Sequence, residues 1–261
     1  SVIEQINGGP SSTAENNGTA RENGRMGLVG RLKYDYKMRY IVEANFRYDG
    51  SDKFPKGQRW GFFPSVSVGW NVDKEPFMQP LLNNNWFSAL KFRFSWGKIG
   101  LDDVGNFKYL SVYNKGNDFY EGGKWNSTLR EGDLVSQDLT WYSRNTINLA
   151  VDAEFFQQRL SANFEYFYYR TTNYLANPKD AYTTPLGTAM PMVKTNSAHR
   201  RAGYELNLAW RDKIARDFKY NVGLNLSYYN ELWERKYDEQ ESDLKNPLRS
   251  LTHQKSYFDL L

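Results

Sequence analysis

From Met26 onward the chain alternates apolar and polar residues with a period of two. Met26, Leu28, Gly30, Leu32, Tyr34 and Tyr36 fall on one side, and Gly27, Val29, Arg31, Lys33 and Asp35 on the other. The pattern restarts after Lys37-Met38: Tyr40, Val42, Ala44, Phe46 and Tyr48 oppose Arg39, Glu43, Asn45, Arg47 and Asp49. Further runs follow at 62–72, 90–96, 147–155, 160–168, 204–211 and 220–228. Successive side chains of a strand point to opposite faces, so this pattern specifies half-apolar β-strands. There are about eight of them, each of about ten residues, the length a tilted strand needs to cross a bilayer; strands of water-soluble proteins more often run about five or six. A single-faced soluble sheet shows the same alternation over a shorter length. The rings at the strand ends (Tyr34, Tyr36, Tyr48, Trp96, Phe155, Tyr166, Tyr168, Trp210 and Tyr228) suit an interfacial girdle.

Composition narrows the choice. Aromatic residues make up 16% of the 261, and 25% are charged, with a mean hydropathy of -0.75. Disordered chains are poor in aromatics, which excludes that class. No run approaches the roughly 20 apolar residues of a spanning helix. A net charge of +4 with no basic run points to no nucleic-acid partner. With no cysteine there is neither disulfide framework nor thiolate site, and two histidines, His199 and His253, argue against a His-based metal centre. The chain opens at Ser1 without a signal-like segment and stops at Leu261 in mid-pattern, so it reads as either a processed product or a piece of a longer chain.

The breaks between runs alternate in length. They are short at Lys37-Met38, long at 50–59, intermediate at 73–87, long at 98–144, short at Gln157-Gln158, long at 171–200 and short at 212–217, with another long one from Asn230. Transmembrane barrels pair short periplasmic turns with long extracellular loops in this way, and a soluble meander has no reason to. The organisation expected is a loop over 1–24, barrel strands over 25–230 with extracellular loops 50–59, 98–144 and 171–200, and a truncated loop or strand start over 231–261. An extra hairpin, Phe107–Tyr113 with Asp118–Tyr120, fits inside the 98–144 segment.

Residues 47–70 carry a more specific pattern. Arg47, Asp49, Gly50, Ser51 and Phe54 are followed by Arg59-Trp60-Gly61, Phe63-Pro64-Ser65 and Gly69-Trp70. This closely resembles the signature of SusC/RagA-like TonB-dependent outer-membrane transporters, R-x-D-G-S-S-x-F and then RWG-x-FPSVS-x-GW. Leu90–Gly97, Asp138–Trp141, Phe164–Thr172 and Arg200–Leu206 resemble later elements of that family, in the family's order. The resemblance covers about residues 24–230. It implies an all-β fold, an antiparallel transmembrane β-barrel segment of about 8–10 strands belonging to a 22-stranded barrel in the outer membrane of a Gram-negative bacterium. It also implies import of oligosaccharides or peptides, energised by TonB through a plug, beneath a SusD-like surface lipoprotein that acts as a lid. Plug, TonB box and final strand have no counterpart in these residues.

No catalytic constellation appears, because nothing pairs a nucleophile with a base, and an enzyme is not expected. Asp102-Asp103 is one acidic pair against the about six to eight oxygens that Ca²⁺ takes, so no metal or cofactor is expected. His199, beside Arg200-Arg201, is expected to be exposed. Substrate or lid contact falls to loop aromatics: Tyr109, Tyr113, Tyr120, Trp125, Trp141 and Tyr142, with Thr183–Gly187 as a further contact loop. These rings equally suit packing against one another. Two other readings compete with the importer: a small self-contained outer-membrane barrel of structural or adhesive role, and a soluble carbohydrate-binding β-sandwich.

Overall fold

A computed structural model of the chain describes residues 22–82, 86–132, 134–176, 190–214 and 218–237. Its strands in chain order are β1 (Arg25–Tyr36), β2 (Tyr40–Ser51), β3 (Trp60–Asn71), β4 (Phe87–Leu101), β5 (Tyr113–Glu121) and β6 (Lys124–Glu131). They continue with β7 (Tyr142–Phe155), β8 (Leu160–Thr172), β9 (Leu175–Ala176), β10 (Val193–Lys194), β11 (Ala198–Lys213) and β12 (Lys219–Arg235). Eight of them form one sheet in the order β1-β2-β3-β4-β7-β8-β11-β12, with every neighbouring pair antiparallel. β5–β6 and β9–β10 are two-stranded inserts in the connections β4→β7 and β8→β11.

The register aligns the two faces across all eight strands. Tyr34 pairs with Val42, Val42 with Val68, and Val68 with Phe94. Phe94 pairs with Leu149, Leu149 with Tyr166, Tyr166 with Tyr204, and Tyr204 with Tyr228. A one-residue slip in any pair would turn that strand's apolar set to the other side. Among the described residues no second sheet covers this apolar face: Leu32 is 72% exposed, and Phe46, Phe94, Leu149 and Leu224 are exposed too. A sandwich would bury those residues. A lipid-facing wall leaves them bare in the protein alone.

Among the described residues the sheet is open as well as single-layered, since β1 and β12 are its edges and do not pair with each other. The eight strands therefore do not close into a small barrel. They run 12 to 17 residues, longer than the ~10 that span a bilayer, and so extend into segments that read as loops in the sequence. β4 continues to Leu101 and β7 begins at Tyr142.

Rings collect on the apolar face near both strand ends. At the end with the short connections, Tyr36, Tyr40, Trp70 and Phe92 follow one another at 6.5, 6.5 and 6.1 Å between centroids. At the other end Tyr48 stacks on Trp60 at 4.9 Å. Among the short turns, Lys37 and Met38 both take positive φ (53° and 55°). Asp35 Oδ1 accepts from the Met38 amide at 2.8 Å, fixing that turn. Left-handed backbone at two central residues matches the twist of an antiparallel hairpin.

The extra hairpin lies elsewhere than the sequence predicts. β5 pairs with β6, Tyr120 opposite Trp125, around Gly122-Gly123, whose φ values are +64° and +81°. That Gly-Gly pair supplies the turn conformation that the alternation alone does not reveal.

Leu224→Arg on the apolar face of β12 is expected to cost about 2–4 kcal/mol of stability in a bilayer, while Asn225→Arg on the polar face is tolerated. Urea titration of the two full-length variants folded in lipid vesicles measures the difference.

Candidate functional site

The inner face of the sheet is polar and cross-linked. Arg93 donates to Asp152 through Nε (2.7 Å) and Nη2 (3.1 Å), with Glu165 at 3.9 Å from the same guanidinium. Asn163 donates to the Asp152 carboxylate, and Asn207 donates to Asn163 Oδ1 at 3.1 Å. These groups come from β4, β7, β8 and β11, so the network ties four strands on the side away from the apolar face. Nearer β1, Arg31 pairs with Glu43, which also accepts from Asn45 at 3.0 Å. Alternation puts every one of these side chains inward, and charge-assisted bonds satisfy them there.

Three hollows lie along this face. One of about 670 Å³ is lined by Lys91, Asp152, Asn163 and Asn207. A second of about 280 Å³ lies beside Lys33, Glu43, Arg93 and Glu165. A third of about 800 Å³ reaches Arg47, Asp49, Phe63, Asp102 and Trp141 under the long connections.

The long connections contain the buried apolar cluster of Phe54, Val104 and Leu139, with Tyr109, Trp141, Leu175 and Met192 packed on it. Phe54 is 0% exposed and Leu139 1%. Trp141 lies between two rings, 5.3 Å from Phe54 and 5.2 Å edge-on to Phe63, and its Nε1 donates to Arg59 O at 2.8 Å. Arg59 in turn donates to Phe54 O (3.0 Å) and to the Tyr109 hydroxyl (3.1 Å). Asp102 accepts from Arg25 Nη2 at 2.5 Å and from the buried Ser51 hydroxyl at 3.0 Å, and Lys53 Nζ donates to its backbone oxygen at 3.0 Å.

These contacts give the 47–70 pattern a local physical meaning. Ser51, Phe54 and Arg59 fold the β2–β3 connection and clip it to the β4–β7 connection. Phe63 lies between Gly61 and Gly100, where a Cβ on either glycine would run into the ring. Gly50 lies against the Trp60 ring on the apolar face. Pro64 and Trp70 sit on the apolar face of β3, Ser65 and Gly69 on the polar one. Arg47 Nε bonds Asp49 at 3.0 Å on the inner face.

The six loop aromatics separate into two groups. Tyr109 and Trp141 are fastened inside the cap, and Tyr142 stacks on Tyr174 at 5.6 Å. Tyr113 and Tyr120 stand exposed on the β5–β6 hairpin, with Trp125 on its second strand. Thr183–Gly187 lie outside the described residues. His199 is half-buried rather than exposed: its ring meets Trp233 at 5.0 Å and its Nε2 lies 3.6 Å from Glu231. The sequence does not show this, because Trp233 falls in text that reads as loop.

The carboxylate of Asp102 is taken up by cationic and hydroxyl donors, and among the described residues no three or more His, Asp or Glu side chains gather to hold a metal ion.

The architecture has counterparts. Residues 3–256 match the family model described as TonB dependent receptor-like, beta-barrel. The chain belongs to this family. Among curated relatives, TonB-dependent receptor SusC of Bacteroides thetaiotaomicron is 29% identical over 220 residues, which is 82% of this chain and 21% of that protein. TonB-dependent receptor P39 of Formosa agariphila is 28% identical over 202 residues, 77% of this chain and 18% of the relative. The chain thus spans about a fifth of the length of these relatives. A solved structure of the RagAB peptide importer in the "open-open" state matches 83% of this chain and 22% of its own with a TM-score of 0.72 at 20% identity, a likeness of fold. The residues 47–70 that carry the SusC/RagA-like resemblance lie inside the stretch matched by the family model. The chain is a segment of an outer-membrane β-barrel of a family of receptors and transporters.

Phe54→Ala is expected to cost about 3–5 kcal/mol and to loosen the cap, whereas Tyr113→Ala on the exposed hairpin changes stability by no more than about 0.5 kcal/mol. Limited proteolysis of the 102–141 segment in the full-length protein distinguishes the two.

Proposed function

We propose that this chain is part of the wall of a TonB-dependent importer of oligosaccharides or peptides. Its inner face lines the passage, and its long connections lie outside the cell. The observation that supports this most directly is the open, two-faced sheet: one face apolar and uncovered, the other carrying the Arg93–Asp152–Asn163–Asn207 network. An unpaired edge at each side of a membrane sheet is untenable in lipid, which favours continuation on both sides into a larger barrel.

In this reading the buried cap stiffens the passage mouth, and the β5–β6 hairpin presents Tyr113 and Tyr120 to substrate or to a SusD-like surface lipoprotein closing over the barrel. Energy reaches the passage from TonB through a plug inside the barrel. Peptide is one candidate cargo, because the structural neighbour is named a peptide importer; oligosaccharide comes from the SusC/RagA-like resemblance. Both suit a wall of amides, carboxylates and guanidinium groups, which exchange hydrogen bonds with a polar solute. No covalent chemistry is part of this function.

Orientation is testable without knowing the cargo. In intact cells expressing the full-length protein, Lys124→Cys on the hairpin is expected to react with a membrane-impermeant maleimide, and Lys37→Cys at the opposite end only after lysis. Labelling at Lys37 on intact cells would invert the proposal. For contact, Tyr113→Ala with Tyr120→Ala is expected to lower cargo or lid affinity about threefold to tenfold, the worth of one or two ring stackings. Uptake assays with labelled peptide and oligosaccharide pools read this.

A further inference from the structure

The connection between β3 and β4 is unlike the other short connections. It contains two 3₁₀ turns, Val72–Lys74 and Pro76–Met78, and then the single helical turn α1 (Gln79–Leu82). Val72 and Met78 are buried, yet Phe77 is 61% exposed, Leu81 55% and Trp86 59%. A membrane-distal turn hanging in water has no use for three bare apolar side chains within ten residues.

Where the segment sits follows from Glu75. Its Oε1 accepts from the Tyr40 hydroxyl at 2.6 Å and from Trp70 Nε1 at 3.2 Å, and Arg39 lies 3.6 Å from Oε2. Tyr40 and Trp70 are opposed in the register and both belong to the apolar face. The carboxylate is thus held on the outer side of the wall, at the aromatic girdle. These bonds, from Tyr40 first and Trp70 next, hold the Glu75 carboxyl below the usual carboxylate range. At the far end of the segment Trp86 meets Phe155 edge-on at 5.6 Å, on a ring of the same face. Glu75 and Trp86 therefore both join the lipid-facing girdle, while Asp73 and Lys74 border the inner hollow. The neighbouring turn is fastened to this connection, since Asn71 donates from its amide to Arg39 O (2.8 Å) and from Nδ2 to Met38 O (2.6 Å). That turn adds Met38, exposed, and Lys37, whose Nζ lies 5.2 Å over the Tyr36 ring.

We propose that the β3–β4 connection is a lipid-docking foot. Phe77, Leu81 and Trp86 enter the headgroup–acyl boundary of the leaflet at the short-connection end, and Lys37 and Arg39 meet phospholipid phosphate there. Glu75 is the bracket that folds the segment outward. Rings, aliphatic side chains and flanking cations in one strip are what such a boundary favours, and the strip continues the belt that already faces lipid. The proposal rests on the wall reading above, and its experiment tests the two separately.

The chain contains no cysteine, so within it a single introduced label is unambiguous, and any cysteine elsewhere in the full-length protein is first replaced by serine. Phe77→Cys and Leu81→Cys are made in the full-length protein, spin-labelled, and reconstituted in phosphatidylethanolamine–phosphatidylglycerol vesicles. Collisions with oxygen, which concentrates in lipid, are compared with collisions with a water-soluble nickel chelate. Val68→Cys on the belt and Asp73→Cys beside the inner hollow serve as references. The foot predicts oxygen-dominated relaxation at Phe77 and Leu81, as at Val68, with the reverse at Asp73. Nickel-dominated relaxation at Phe77 and Leu81 with a lipid-like Val68 overturns the foot and leaves the wall standing. Exclusion of both reagents overturns it too, because a protein surface then covers the segment. A water-like Val68 overturns the wall itself. Heat-modifiable gel mobility establishes folding of each variant, and either labelled position suffices if the other fails to fold.

Discussion

Every backbone amide of a membrane-spanning strand must be bonded to another strand, because the hydrocarbon offers no water to take its place. The rest of this structure follows from that constraint. It requires long antiparallel ladders, and seven of them link β1 to β12, with register shifts confined to strand ends at Ala198/His199 and Phe87/Ala89. It confines side-chain chemistry to two faces. Among the described residues β1 and β12 are the edges of the sheet, and the larger barrel proposed above reconciles that open sheet with a membrane location.

Once the ladders are set, stability is distributed unusually. Among the described residues no apolar layer is sealed between two sheets, so the lipid-facing side chains derive their stabilisation from the bilayer. The polar face is held by charge-assisted bonds such as Arg93–Asp152, which span strands rather than adjacent residues. Among the described residues a buried apolar cluster forms in the cap, where Phe54, Val104 and Leu139 meet, with isolated buried side chains such as Val72, Met78 and Phe167 elsewhere. The two ends of the wall are thereby specialised: the long-connection end is packed and clipped by Asp102 and Arg59, and the short-connection end is braced by Glu75 against the girdle rings.

Much of the wall was legible in the sequence because a period of two is a local property. The alternation of Tyr40–Tyr48 or Leu160–Tyr168 needs no knowledge of neighbours, and strand order follows from short turns that force adjacent pairing. The signature at 47–70 was legible as a pattern, but its work was not. Phe54 and Trp141 are far apart in the chain and become partners only when their connections fold over one another. Tyr109 and Trp141, read as candidate contact rings, pack on the cap cluster, while Tyr113 and Tyr120 stand exposed. The β5–β6 hairpin was expected a few residues too early because its Gly122-Gly123 turn, rather than its alternation, sets the register. Glu75, beside Pro76 in the β3–β4 connection, is visible in the sequence, but only the structure shows that its partners are Tyr40 and Trp70.

The central claim is that these strands form an interior stretch of a closed wall, paired at both outer edges. Hydrogen–deuterium exchange of the full-length protein in lipid tests it most directly, read at the amides of β1 and β12 that point away from β2 and β11. A closed wall gives those amides protection equal to that of β3, β7 and β8. Rapid exchange along either edge, with the central strands protected, would contradict it.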